Sequence, residues 1–235
     1  MKRIVLDAFP FDLPEEAFLR ACRAERDSEE GERALELRVQ ALAVARPKAV
    51  VAQLPVVVLD DDTVRVGEVA IASRMVRVNL APNAVAYPYV ATCGTELDRW
   101  AEPLDDYVDQ FYADEARKML LGCAVRAARD AVVHEFKPAK PLSTVNPGSL
   151  ESYPITEQPS LFRMLGDVAA DTGVTLTDSC LMVPFKSSSG IFFEDSTGHV
   201  NCIMCPRKVC PNRRAPYQPD HYGERFGKDG GCGAN

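Results

Sequence analysis

The chain is poor in the features that mark many enzyme families. It has one tryptophan and three histidines in 235 residues. His134, His199 and His221 lie too far apart along the chain to suggest a triad. There is no Gly-x-Ser-x-Gly elbow, P-loop or Gly-x-Gly-x-x-Gly fingerprint. Serine hydrolase, P-loop nucleotide hydrolase and Rossmann dehydrogenase readings therefore lack support. No segment approaches the roughly 20 uninterrupted apolar residues of a membrane span. Residues Met1 to Asp7 lack the apolar region of a signal peptide, and Pro10 and Pro14 follow soon after, so a cytoplasmic location is expected. An excess of positive charge is missing too. Against 27 Lys and Arg stand 34 Asp and Glu, a net charge of −7. Neither nucleic acid nor an anionic membrane is an expected partner.

What is present is an ordinary globular composition, 46% hydrophobic and 26% charged, long enough for one large domain or two small ones. The pattern predicts a mixed α+β fold. A strand is expected over Arg3–Phe9, then a helix beginning near Pro14 with Asp12 as its cap. A second helix is expected over Glu29–Ala45, with Leu35, Val39 and Leu42 on its apolar face. Val56–Leu59 and Val64–Val66 flank Asp60-Asp61-Asp62 as a hairpin. That aspartate run reads as a solvated turn, since the spaced ligands and closing Glu of a calcium loop are missing. Met75–Leu80 and Val85–Thr92 read as strands, and Leu104–Phe136 as a long helical stretch. A linker is expected over Lys137–Pro141. A helix over Gln158–Ala170 should stop at Gly173, with strands after it over Val174–Pro184 and Ile191–Glu194. The Gly-, Pro- and charge-rich C-terminus would be disordered unless something fastens it.

Eight cysteines are present. Cys22, Cys123 and Cys180 lie among apolar residues and read as core. Cys93, in Ala91-Thr92-Cys93-Gly94, stands before a helix start near Glu96. A helix N-terminus there could depress its pKa, but a small buried residue at a tight turn is the plainer reading. Cys202, Cys205, Cys210 and Cys232 cluster at the C-terminus with the spacing Cys-x2-Cys-x4-Cys followed by a more distant Cys. Clustered cysteines in a reducing compartment read as ligands rather than disulfides. Four thiolates suit tetrahedral zinc or an iron–sulfur cluster, and Arg207, Lys208, Arg213 and Arg214 would offset their charge. His199 is a nearby candidate ligand, although a solvent-facing turn after Gly198 is the alternative.

Two polar loops remain. In Val145-Asn146-Pro147-Gly148-Ser149, Gly148 permits close backbone approach to a ligand. Thr156, next to Glu157, can cap the helix that follows. Pro184-Phe185-Lys186-Ser187-Ser188-Ser189-Gly190 offers hydroxyls, amides and one cation. Alone, each is an ordinary polar loop.

Together the two loops resemble the reactivation (activation) domain of cobalamin-dependent methionine synthase. Gly148 matches the glycine of that family's Arg-x-x-x-Gly-Tyr loop. Thr156-Glu157 matches its Thr-Glu pair, Leu176-Thr177-Asp178-Ser179 its Leu-Thr-Glu-Ser strand, and Pro184–Gly190 its Ser-x-Ser-Gly turn. Thr144 stands where the family has arginine, and Ser149 where it has tyrosine. A threonine cannot reproduce the arginine's charged contact to S-adenosylmethionine, which counts against direct binding of that cofactor.

The resemblance implies an activation-domain-like α+β fold over residues 1–200. Residues 1–137 would form its N-terminal portion, and residues 144–200 would carry the signature. The tail 201–235 would be an added metal-binding segment. It implies a stand-alone accessory protein for the cobalamin of a partner methyltransferase. Asn146, Pro147, Gly148, Ser149, Glu157, Lys186, Ser187, Ser189 and Gly190 would line the cofactor pocket. Reactivating an inert corrinoid takes one electron as well as a methyl donor, so an electron donor is a further expected partner. An iron–sulfur centre on Cys202, Cys205, Cys210 and Cys232 is preferred to zinc on that ground. The alternatives are a zinc-stabilised docking module and an S-adenosylmethionine-dependent methyltransferase.

Overall fold

The computed structural model describes residues 2–210 and 213–227. The fold is α+β, an antiparallel seven-stranded sheet with helices on both faces. The strands are β1 (Lys2–Leu6), β2 (Lys48–Val58), β3 (Thr63–Val66), β4 (Val69–Ala72), β5 (Val85–Thr92) and β6 (Leu142–Val145). A short hairpin of β7 (Thr175–Leu176) and β8 (Met182–Val183) stands apart, and β9 (Ser187–Glu194) closes the set. The sheet order is β4-β3-β2-β5-β9-β6, with β1 also pairing β2. The 11 residues of β2 let one edge serve two partners, β1 along Ala49–Gln53 and β3 along Val56–Val58.

Side-chain alternation sorts the central strands into two cores. Val50, Ala52, Val90, Ile191 and Phe193 face one side, and Ala49, Val51, Tyr89, Ala91 and Phe192 face the other. Burial on both faces explains why these strands read as continuous apolar runs rather than as alternating ones.

The second face is covered by α5 (Tyr107–Phe136), a 30-residue helix capped by the Asp106 carboxylate, which accepts from the amides of Val108 and Asp109. Tyr112, Ala116, Leu120, Ala124, Ala128 and Val132 recur every fourth residue along its buried stripe. The C-terminal half of that stripe lies on the sheet. The N-terminal half joins α1 (Glu15–Cys22), α2 (Glu29–Val44) and α4 (Thr95–Ala101) in a separate helical core. The first face is covered by α3 (Arg74–Leu80), α6 (Gln158–Leu165), α7 (Val168–Thr172) and α8 (His221–Phe226).

Several local expectations are corrected. Residues 74–80 are helical because Ser73 accepts from the Val76 amide as an N-cap, and Met75, Val76, Asn79 and Leu80 share a buried face. On α2 the buried positions are Gly31, Ala34, Leu37 and Ala41, while Val39 is 61% exposed. Asp12 accepts from the next amide instead of capping α1, and Thr156 caps nothing. Gly166, at φ 84°, divides the segment after Gln158 into α6 and α7. The expected strand at 174–184 is instead the β7–β8 hairpin. The expected linker leads straight into β6, which pairs with β9.

The described part of the C-terminal segment is fastened by packing. Phe226 is 1% exposed and lies, with Met204, in the core cluster of the sheet's first face. Arg225 donates to Thr197 Oγ1 at 2.8 Å and to Asn79 Oδ1 at 3.0 Å.

Candidate functional site

A cavity of about 380 Å³ opens where the end of β6, the start of β9, α5 and the C-terminal segment meet. Sheet pairing builds it. The β6–β9 ladder sets Val145 opposite Ile191, which brings the loop beginning at Asn146 against Ser187–Gly190. Asn146, Pro147, Ser149, Ser187 and Ser189 all line the cavity.

Asn146 is the junction of its hydrogen bonds. Its Nδ2 donates to the Ser189 carbonyl at 2.7 Å and to the Tyr89 hydroxyl at 3.1 Å. Its Oδ1 accepts from Asn201 Nδ2 at 3.4 Å. Ser189 Oγ donates to the buried Gln158 Oε1 at 2.7 Å. Tyr89 lies against Phe192, with ring centroids 4.1 Å apart and planes at 7°. Satisfied and packed on this side, the wall is preorganised.

The two glycines act through space rather than as lining groups. An added Cβ at Gly190 would lie 2.4 Å from Asn146 Nδ2 and 2.7 Å from the Val145 carbonyl oxygen. Gly148, at φ 79°, sits against Ile155 and donates its amide to the Tyr153 carbonyl, closing the loop. Two expected residues do not reach the cavity. Lys186 turns to α5 and pairs with Asp114 at 2.9 Å. Glu157 sits in the 3-10 turn Ile155–Glu157, outside the lining.

Other lining residues come from elements remote in sequence. Arg129 of α5, Gln158 of α6, Met182 of β8 and Arg214 of the C-terminal segment all contribute. Its place at the start of an expected helix was the only sequence signal for Gln158. Nothing local placed Arg129 or Arg214 in this cavity; Arg214 was expected only to offset thiolate charge.

A second buried network supports the first. Asp195 accepts from the amides of His199 and Thr197, the Thr197 hydroxyl and the Ser143 hydroxyl. Burial works against its charge, but these donors outweigh that and hold the carboxyl far below the usual range. His199 is buried, contrary to the solvent-facing expectation, and its Nε2 contacts Asn201 Oδ1 at 3.0 Å. Burial lowers its pKa. Through Asn201 this network reaches Asn146 and the cavity.

The cysteines behave differently from one another. Burial pushes the thiols of Cys22 and Cys93 up to about 12, so the helix at Glu96 does not activate Cys93. Cys202 is half-buried, and its Sγ accepts the Arg214 amide at 3.5 Å, which is foremost in lowering its pKa. The Arg213 guanidinium donates to the carbonyls of Cys202, Cys205 and Ala215 at 3.1, 3.2 and 3.3 Å, and also to that of Arg207. Among the described residues no three His, Cys, Asp or Glu side chains gather as a metal-ligand set, and Cys202, Cys205 and Cys210 are not brought together as one. Cys232, the expected fourth ligand, lies outside the described residues.

The fold is similar to a crystal structure of the MetH reactivation domain bound to AdoHcy, with a TM-score of 0.62 and 16% sequence identity. The likeness covers 96% of this chain and 86% of that one. No family model matches the chain, and no curated protein matches it.

Proposed function

We propose that this chain is a reactivation module for the corrinoid cofactor of a partner methyltransferase, and that its cavity holds an adenosyl thioether or sulfonium ligand. The observation that carries the reading is the cavity itself, formed by the Asn146–Ser149 loop and the Ser187–Gly190 turn within a reactivation-domain fold. A solved neighbour with that fold binds AdoHcy. The volume falls within the range of roughly 300–1,000 Å³ usual for small-molecule sites.

The chain's role in such chemistry is to bind, orient and shield the ligand. Asn146, locked between Tyr89, Ser189 and Asn201, fixes the polar wall. S-adenosylmethionine would supply the methyl group when bound. The corrinoid and the reducing electron belong to partners. The described tail does not gather metal ligands, so no step of the proposal runs through an iron–sulfur or zinc centre. Next to the cavity-lining Met182, Leu181, Val183 and Phe185 are exposed, Phe185 by 73%. These apolar side chains beside the opening suit a protein partner.

The test has two arms. Calorimetry should detect S-adenosylhomocysteine binding to the full chain. Adding the chain to a cobalamin methyltransferase deprived of its own reactivation domain should restore turnover after cobalamin oxidation, given S-adenosylmethionine and a reductant. Failure of both arms overturns the reading.

A further inference from the structure

Several cations of this protein sit on carboxylates. Arg33 pairs with Glu36 and Asp109, Arg38 with Asp12 and Glu15, Arg117 with Asp98 and Asp114, and Lys186 with Asp114. Arg129 and Arg214 do not, and they are set apart by where they lie. Both line the cavity, and neither has a carboxylate partner among the described residues. Arg129 is held by donating to the Leu142 carbonyl, with its guanidinium 5.9 Å from the Phe192 ring centroid. Arg214 is exposed and reaches the cavity from the C-terminal segment.

Two hydroxyls add to this. Thr144 and Ser187 also line the cavity, and Thr144 Oγ1 and Ser187 Oγ are buried without a hydrogen-bond partner among the described residues. Buried polar atoms ordinarily find partners, so unsatisfied ones beside a cavity mark where a ligand would complete them. A local surplus of positive charge and donors stands out in a chain whose net charge is −7.

We propose that the cavity contains an oxyanion subsite, and that Arg214 is the residue by which this chain selects a ligand bearing a carboxylate. Arg129 supplies a fixed background charge, while Arg214 supplies the exchangeable contact. The C-terminal segment is thus one wall of the site. Guanidinium groups pair with carboxylate and phosphate alike by charge-assisted hydrogen bonds, so the experiment must separate the two. For the identity of the rest of the ligand, the inference rests on the adenosyl-ligand reading above.

The full chain should be titrated with three probes. S-adenosylhomocysteine carries a carboxylate, 5′-deoxy-5′-methylthioadenosine keeps the nucleoside and thioether but lacks both the carboxylate and the ammonium, so R214Q is needed to isolate the carboxylate's share, and inorganic phosphate carries only the anion. The first should bind about 10- to 100-fold more tightly than the second, the span expected of a hydrogen bond to a charged group. In R214Q that ratio should collapse while 5′-deoxy-5′-methylthioadenosine affinity stays the same, and R214K should restore some of it. A second readout is independent of affinity. Because the Cys202 thiol rests on the Arg214 amide, ligand at Arg214 should slow iodoacetamide labelling of Cys202, read by peptide mass.

Equal affinity for the two nucleosides overturns the subsite and leaves the adenosyl reading standing. If neither nucleoside binds but phosphate protects Cys202 in the wild type and not in R214Q, the subsite stands for phosphate-type anions and the adenosyl reading falls. If no probe binds or protects, both fall.

Discussion

Replacing Gly190 by alanine should damage the cavity wall. Gly190 is paired with Tyr89 in β5. Its backbone needs no left-handed angle, so close approach alone demands glycine here. The new Cβ would lie 2.4 Å from Asn146 Nδ2, 2.7 Å from the Val145 oxygen and 3.0 Å from Tyr89 Cε1. The Val145 oxygen belongs to backbone held by the β6–β9 ladder and cannot swing aside. Overpacking of this kind costs about 1–3 kcal/mol. Displacing Asn146 also breaks its bonds to the Ser189 carbonyl and the Tyr89 hydroxyl, at about 1 kcal/mol each. The sum is roughly 3–5 kcal/mol. For a chain of this length that lowers the melting temperature by roughly 6–20 °C. Urea denaturation measures the first figure and a thermal scan the second. Ligand affinity should fall in the same variant. Gly122 on α5 is the control, since nothing lies within 4 Å of its added Cβ. G122A should gain about 0.5–1 kcal/mol from helix propensity. A G190A protein within about 1 kcal/mol of wild type, with unchanged affinity, would refute the packing argument.

Phe226→Ala should cost about 3–5 kcal/mol, because its buried ring anchors the C-terminal segment. Limited proteolysis should then cut within residues 201–227, whereas a chelator should leave the wild-type cleavage pattern unchanged. A pattern that collapses on chelation would show that metal, not packing, holds the segment. Stability should fall with acid in two stages. His199, its folded pKa lowered by burial, resists a proton that the unfolded chain takes up near pH 6.5. Its contribution is full above that pH and is lost as pH drops towards the folded value. Asp195, its folded pKa depressed, contributes above the unfolded carboxyl pKa of about 3.9 and is lost below it. A flat urea midpoint between pH 7 and pH 3 contradicts both. Among the thiols, iodoacetamide at neutral pH should modify Cys202 well before Cys22 or Cys93, and equal labelling rates would contradict the assigned burial.

What was legible in the sequence was local. The strand Val85–Thr92, the hairpin around Asp60–Asp62 and the long helix to Phe136 follow from apolar runs and turn residues within a few positions. The short helix at Arg74–Leu80 looks like a strand in the sequence because β-branched Val76 and Val78 favour strands. The Ser73 cap, a signal of the same range, was the deciding one. On α2 the apolar residues Leu35, Val39 and Leu42 suggested one face, but Gly31, Ala34, Leu37 and Ala41 form the buried face, Leu35 and Leu42 only flank it and Val39 is exposed. Close packing here favours small side chains, which a hydrophobicity count undervalues.

The two site loops were legible because each carries its own small and hydroxyl residues, from Asn146 to Ser149 and from Ser187 to Gly190. Their meeting was not, since it depends on β6 pairing with β9 across 40 and more residues of intervening chain. The same holds for Arg129 and Arg214, which share the cavity although one lies on a sheet-covering helix and the other in the C-terminal segment. For that segment, composition alone suggested disorder unless something fastened it. The burial of Phe226 and Met204 against the sheet, together with the carbonyl bonds of Arg213, fastens its described portion. By itself the sequence determined which short stretches prefer helix, strand or turn, because those preferences arise within a few bonds. Only the tertiary structure decided which distant residues share a cavity and what holds the tail, because contacts between distant residues depend on how the whole sheet is paired and packed.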